Sequence, residues 1–268
     1  CKGSMVQIHS SSPEKVLFLG TGLFSTEPFY DEIRRGDPMI PKKIHYCWFG
    51  GGEKPKSVKK CIASWRKFCP DYEIVEWNES NYDVNSTGYT KMCAEEKKYA
   101  FLSDYARLAI IEENGGVYFD TDVELIKNID FLLENEAFFG LENPDYVATG
   151  LGFGSVAHGK AITAMLKEYE PYLDGKSGTV TCPRLNTDAL LHYGLKLDGK
   201  MQIVADALIL PSDYMNPYGS NTGIMSKTEN TVSIHWYSGS WMSKSQRMKS
   251  KITKPIHRVF GIDFLKKK

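Results

Sequence analysis

Hydrophobic positions change period repeatedly along this chain, and each change marks an element. Residues 43–49 form an apolar run stopped by Gly50-Gly51-Gly52, the pattern of a buried strand. Over 55–68, Val58, Ile62, Trp65 and Phe68 recur at helical spacing, with Pro55 in the first turn and Pro70-Asp71 as the stop. Residues 72–77 alternate and predict a second strand, followed by a polar loop at 78–81. Over 95–113, Phe101, Leu102, Tyr105, Leu108, Ala109 and Ile110 give a broad apolar helix face, and Gly115 stands where a C-terminal cap belongs. A strand is predicted over 117–120, a short helix or turn at 129–133 and a strand at 137–141. Glycine and small residues crowd 149–159. Helices follow over 161–169 and 187–193, then one strand over 201–210 ended by Pro211, and a last short strand at 233–236.

Strands that alternate with helices, with no internal repeat, predict an α/β fold: a single Rossmann-like domain with a mostly parallel central sheet. Ligands of such sheets bind beyond the carboxyl ends of the strands. The expected organisation is an appended or cloning-derived segment over 1–38, a main domain over 39–245 and a basic amphipathic tail over 246–268. Gly3-Ser4-Met5 resembles a cloning scar, and Met39 is a second plausible start. Residues 16–22 resemble the first strand and turn of a dinucleotide fold, but no third glycine follows and Glu27-Pro28 interrupts.

Composition narrows the class. The 268 residues are 42% hydrophobic, enough for a substantial core, and the formal net charge is zero, so nothing demands a nucleic-acid partner. The six cysteines form no CxxC pair and no zinc-type cluster with histidine, which predicts reduced, partly buried thiols. No apolar run approaches the ~20 residues that span a bilayer, and the opening residues lack the apolar core of a signal peptide. The expectation is a cytoplasmic protein.

The chemistry concentrates in Gly115-Gly116-Val117-Tyr118-Phe119-Asp120-Thr121-Asp122. Two carboxylates, one residue apart, follow an apolar strand and a Gly-Gly helix stop. Side chains two apart on a strand share a face, so Asp120 and Asp122 converge on one point beyond its end. Paired carboxylate oxygens suit Mg2+ or Mn2+, which keep other coordination positions for water and substrate phosphates. The bland alternative is a polar turn, where Asp is common. Asp104 and Arg107 lie three apart on one face of the preceding helix, either as a surface ion pair or as charges kept for a ligand.

The run from Ala100 to Leu108, through Ser103-Asp104-Tyr105-Ala106-Arg107, together with the stretch from Gly115 to Asp122, resembles the core signature of the sugar-binding DxD glycosyltransferases, and more specifically glycosyltransferase family 32. That family includes bacterial capsule enzymes and Och-type mannosyltransferases. The segment from Ile40 to Gly51 resembles the opening strand of the bacterial members. The segment from Ile234-His235-Trp236 to Gly239-Ser240-Trp241 resembles their closing motif. The resemblance implies a GT-A fold, a metal-bound nucleotide-sugar donor and retention at the anomeric carbon. It puts Asp120 and Asp122 at the metal and diphosphate, with Asp122 the more direct ligand. Asp104 and Arg107 fall at the donor sugar hydroxyls, and Trp48 at the nucleobase. His235 matches a C-terminal metal ligand, Trp241 a residue near the diphosphate, and Lys244 a phosphate contact. Trp48, His235 and Trp241 also read as packing residues, and Trp65, Trp77 and His45 read as structural. Asn186 and Asp188, in the polar stretch from Cys182, are either sugar-loop residues or a helix cap.

The expected reaction is transfer of a hexose from a UDP-sugar to a saccharide or lipid-linked saccharide acceptor in cell-surface polysaccharide synthesis. GDP-mannose transfer, a metal-dependent phospho- or nucleotidyltransferase and a non-catalytic sugar-binding module are the alternatives. No phosphate-cradling glycine loop with its lysine supports the second. The tail sets Lys244, Arg247, Lys249, Lys251, Lys254, Arg258 and Lys266-Lys267-Lys268 beside Ile252, Ile256, Val259, Phe260, Ile262, Phe264 and Leu265. It reads either as a solvated helix or as a peripheral contact with the anionic inner face of a membrane.

Overall fold

The computed structural model describes residues 39–239 and 244–260. The segment expected over 1–38, the end of the tail over 261–268, and Trp241 lie outside the described residues. Elements follow in the order β1 (Lys43–Cys47), α1 (Lys56–Phe68), β2 (Glu73–Trp77), α2 (Gly88–Glu95), α3 (Tyr99–Asn114), β3 (Gly116–Tyr118) and β4 (Val123–Leu125). Next come β5 (Ala137–Asn143), β6 (Tyr146–Val147), β7 (Phe153–Ser155), α4 (Lys160–Lys167) and α5 (Cys182–Leu191). The described chain closes with β8 (Gln202–Val204), β9 (Ala207–Leu210), α6 (Ser212–Met215), β10 (Ser233–His235) and α7 (Lys244–Phe260).

The main sheet has the order β2-β1-β3-β7-β5-β9-β8, with β6 attached to β5. β1 pairs in parallel with β2 and β3, and β5 in parallel with β9. β7 runs antiparallel between β3 and β5, and β8 and β6 also run against their neighbours. The α/β class and the mostly parallel, mixed sheet agree with the alternation in the sequence.

Successive residues of β1 serve opposite faces, as the pleat requires. Tyr46 meets Trp65 of α1 edge-on at 5.6 Å, and Trp65 in turn lies against Phe119. Cys47, one residue on, belongs to the cluster built by Leu102, Ala106, Tyr118 and Phe153. Helices therefore cover both faces, the layering expected when both sides of a sheet are apolar. Trp65 is fully buried, as expected of a core residue, and its Nε1 donates to the Val123 carbonyl at 2.8 Å. The Leu125 N–H donates to Ser64 Oγ at 2.9 Å, so α1 fixes β4 through two bonds.

Several elements differ from the sequence expectation. The helix expected over 95–113 begins at Tyr99 as α3, and an unexpected helix, α2, with a capping box between Thr87 and Thr90, precedes it, with Lys97 at φ 55° between the two. The glycine-rich stretch 149–159 contains strand β7, which its small residues hide from a propensity reading. The single strand expected over 201–210 is a hairpin, because Ala205 and Asp206 adopt φ 49° and 65° and reverse the chain without a glycine. The helix expected at 187–193 begins at Cys182, with Pro183 in its first turn.

Gly115 and Gly116 make the turn from α3 into β3. Gly115 caps the helix at φ 63°, as expected. Gly116 lies at φ 106°, and a Cβ there would sit 2.9 Å from His45 Nε2. The doublet is thus required by backbone conformation and by the close packing of β3 on β1.

Candidate active site

β3 ends at Tyr118, so Asp120 and Asp122 sit in the turn between β3 and β4, not on a continuing strand. Their convergence therefore does not come from strand alternation. It comes from a two-stranded ribbon, in which β4 pairs antiparallel with β10 and His235 stands opposite Val123. The ribbon brings His235 beside the turn across more than a hundred residues of sequence. One ligand atom each from Asp120, Asp122 and His235 lie within 4.8 Å of one another.

Each acid is held differently. Asp122 Oδ1 lies 3.1 Å from His235 Nε2, and Oδ2 accepts the Ser238 N–H at 2.7 Å. Burial opposes its ionisation, but His235 and Ser238 outweigh this and hold the carboxyl well below the usual range. Asp120 Oδ2 accepts from Arg107 Nη1 at 3.3 Å, and Oδ1 from the Tyr118 hydroxyl at 3.3 Å. Burial dominates here, and the Asp120 carboxyl is pushed up to about 6 despite Arg107. His235 is raised too: burial lowers it, but the Asp122 carboxylate outweighs burial and holds it above its ordinary value.

Arg107 joins the pair to α3. It is 3% exposed, donates through Nη2 to Asp104 Oδ1 at 2.5 Å and through Nε to the Ser103 carbonyl at 3.0 Å. The Asp104–Arg107 pair is therefore no surface ion pair. One guanidinium orients two carboxylates from two different elements, a use that suits its fixed fork of donors. Its Cζ also lies 5.2 Å from the centre of the Tyr118 ring. Burial raises the Asp104 carboxyl, offset by Arg107 and by the Cys182 thiol.

Asp104, Asp120 and Asp122 against Arg107 leave two negative charges uncompensated when His235 is neutral. An excess of that size on half-buried groups is costly without a cation. His235 Nδ1 is buried and makes no hydrogen bond. Two carboxylates with an imidazole are a suitable donor set for Mn2+ or Mg2+. These residues fit a divalent ion.

Trp48 emerges from β1 at the same sheet edge as Asp120 from β3, since the two strands are parallel neighbours and Phe119 N–H donates to the His45 carbonyl. It is half-buried and lines an open cleft of about 450 Å³ with Lys54, Glu76, Asn78 and Glu79. Its Nε1 donates to the Gly52 carbonyl at 2.7 Å, and Lys54 Nζ stands 5.5 Å from its ring centre. Trp48 is thus not a core aromatic. Lys54 is itself tied to Glu76 at 2.7 Å.

Asn186 and Asp188 fall outside this cluster. Asn186 and Asp188 lie inside α5 and are neither a loop nor a cap. Asn186 is fully buried and donates to Thr149 Oγ1 at 3.1 Å, while Thr149 approaches Cys182 Sγ at 3.8 Å, which links it to Asp104. Asp188 faces Arg184 at 3.6 Å across one turn and is part of that pair instead. Lys244 is the first residue of α7. His45 is structural as expected: it accepts from Trp77 Nε1 at 3.0 Å, and burial pushes it down to about 4.

Sequence reasoning missed Tyr118, Ser238 and Gly150. Tyr118 lies two residues before Asp120, so the alternation argument could have found it. A Cβ on Gly150 would lie 2.9 Å from Asp120 Oδ2 and 3.2 Å from Arg107 Nη1, a closeness no local pattern reveals.

Residues 55–139 match the family described as a glycosyltransferase sugar-binding region containing a DXD motif. An uncharacterized glycosyltransferase, L373, of Acanthamoeba polyphaga mimivirus is 33% identical over 101 residues, 35% of this chain and 40% of that protein. Inositol phosphoceramide mannosyltransferase 3 of Schizosaccharomyces pombe is 29% identical over 123 residues, 42% of this chain and 33% of that protein. The chain thus aligns with less than half the length of these curated relatives. Among solved structures, PaToxG glycosyltransferase is similar at 19% identity and TM-score 0.49, over 57% of this chain and 68% of that one. The α/β class stands on the sheet itself, and a GT-A form accords with the matched family. The stretch over 55–139 that is similar to this family contains Asp120-Thr121-Asp122.

Proposed function

We propose that this protein is a metal-dependent, retaining hexosyltransferase that takes its sugar from a nucleoside diphosphate, with UDP the preferred nucleotide, and passes it to a saccharide acceptor, free or lipid-linked. The observation that carries this reading is the half-buried cluster of Asp120, Asp122 and His235 with Arg107 and Asp104 behind it. Asp120, Asp122 and His235 would hold the divalent ion. When bound, such an ion stabilises the negative charge that develops on a departing diphosphate.

The chain's own residues do the rest. Arg107 fixes the Asp104 and Asp120 carboxylates in place before substrate arrives, so little reorganisation is left for the reaction. Asp104, oriented by the buried Arg107, offers an acceptor to sugar hydroxyls. Trp48 presents a flat indole face to a nucleobase at the neighbouring strand end. Retention and the cell-surface polysaccharide role rest on the family 32 resemblance.

A second reading, mannosyl transfer from GDP-mannose, draws on the likeness to the fission-yeast mannosyltransferase. A donor panel with release of free nucleoside diphosphate in Mn2+ separates the two. Asp122→Asn and Asp120→Asn each reduce that release by about a thousand-fold or more, as loss of a central electrostatic group does, while the thermal midpoint is kept. Wild-type turnover in a folded Asp122→Asn protein refutes the proposal.

A further inference from the structure

Helix α7 runs over Lys244–Phe260, about 25 Å at 1.5 Å per residue. One face docks on the loop over 217–226. Lys254 Nζ stands 5.3 Å from the Tyr218 ring centre, and Arg258 donates through Nε to the Thr222 carbonyl and through Nη2 to that of Gly223. The opposite face carries Met248, Ile252, Pro255 and Val259, spaced by four, three and four, so they form one stripe. That stripe is bare: Met248 is 66% exposed, Ile252 63% and Val259 72%. Ile224 and Met225, at the tip of the docking loop, are exposed too.

Charge adds a second, independent observation. The helix holds Lys244, Arg247, Lys249, Lys251, Lys254 and Arg258 and no acid, and the loop over 217–226 holds no acid either. The chain as a whole is neutral, so this cationic helix with its apolar stripe is a local concentration. A solvated helix has no use for an apolar stripe of this kind, and a purely electrostatic partner has none either. Among the described residues, no helix is long and apolar enough to cross a membrane.

We propose that the outer face of α7 and the adjoining loop tip dock this protein on an anionic lipid bilayer, the stripe inserting among the acyl chains while the basic residues meet the headgroups. The loop on which α7 packs adjoins the candidate active site. Tyr218 of the loop lies 5.5 Å, ring to ring, from Trp236, whose backbone N–H donates to the Asp122 carbonyl at 3.0 Å. Docking there sets the acidic cluster close to the lipid surface, and it does not depend on which group is transferred.

Co-sedimentation of the full chain with phosphatidylcholine vesicles, with and without phosphatidylglycerol, tests this. Binding is expected on the anionic vesicles, about ten-fold weaker or worse on neutral ones, and reduced by high salt. The variant Met248→Ser/Ile252→Ser/Val259→Ser loses about ten-fold or more in vesicle affinity with an unchanged thermal midpoint, since all three side chains are exposed. Lys249→Glu, which keeps the stripe, weakens anionic binding about five-fold or more. No binding to anionic vesicles, equal binding to neutral ones, or a triple variant that binds as tightly overturns the proposal. So do tighter binding to an oligonucleotide than to vesicles, and a dimer that dissociates in the triple variant.

Discussion

Gly150→Ala tests the site without touching a charged group. Gly150 is not in the left-handed region, so alanine meets no backbone penalty there. The penalty is steric. The new Cβ would lie 2.9 Å from Asp120 Oδ2 and 3.2 Å from Arg107 Nη1, and ordinary contact begins near 3.4 Å. The carboxylate must therefore retreat by about 0.5 Å, more than the ~0.2 Å tolerance of metal–ligand distances. Its freedom is limited by Arg107 on Oδ2 and Tyr118 on Oδ1. Displacements of ~1 Å in an active site cost about a hundred-fold in rate, so about ten-fold is expected here. Overpacking costs about 1–3 kcal/mol, several degrees in thermal midpoint for a domain of this size. Titration calorimetry with Mn2+ and nucleoside diphosphate release, both below the melting transition, read the two effects separately. Wild-type Mn2+ affinity and rate in Gly150→Ala would refute the view that Asp120 is a wedged metal ligand.

Two further outcomes follow from the geometry. Trp48→Ala raises the KM for donor by about ten-fold, near the loss of one base–aromatic stack, with little change in kcat, and an unchanged KM rules out base stacking. His45 is held at about 4 by burial, below its ordinary 6.5, so the unfolded chain takes up the proton first. Stability is fully present above pH 6.5 and falls as pH drops from there to about 4, by about 3 kcal/mol across that window. Urea unfolding shows the slope, which flattens in His45→Gln, a variant that keeps an acceptor for Trp77. An identical slope in both proteins removes His45 as its source.

The sequence by itself determined the elements whose signals are local. The Gly115-Gly116 doublet, the apolar stripe of α3 and the 3-residue spacing of Asp104 and Arg107 all act within a few residues, where helix and turn geometry apply. It also pointed to the Asp120–Asp122 pair, although for a reason that does not hold, since the strand stops at Tyr118. Only the tertiary structure decided that His235 faces Asp122, because the β4–β10 register links residues far apart in the chain. It alone buried Arg107 between two carboxylates, set Gly150 against Asp120, moved Asn186 into a helix, and turned the 201–210 run into a hairpin. Each of these depends on long-range packing or on a positive φ at an ordinary residue. Local periodicity carries no information about which distant backbone will approach, and the approach is what gives the acids of this site their charge and their positions.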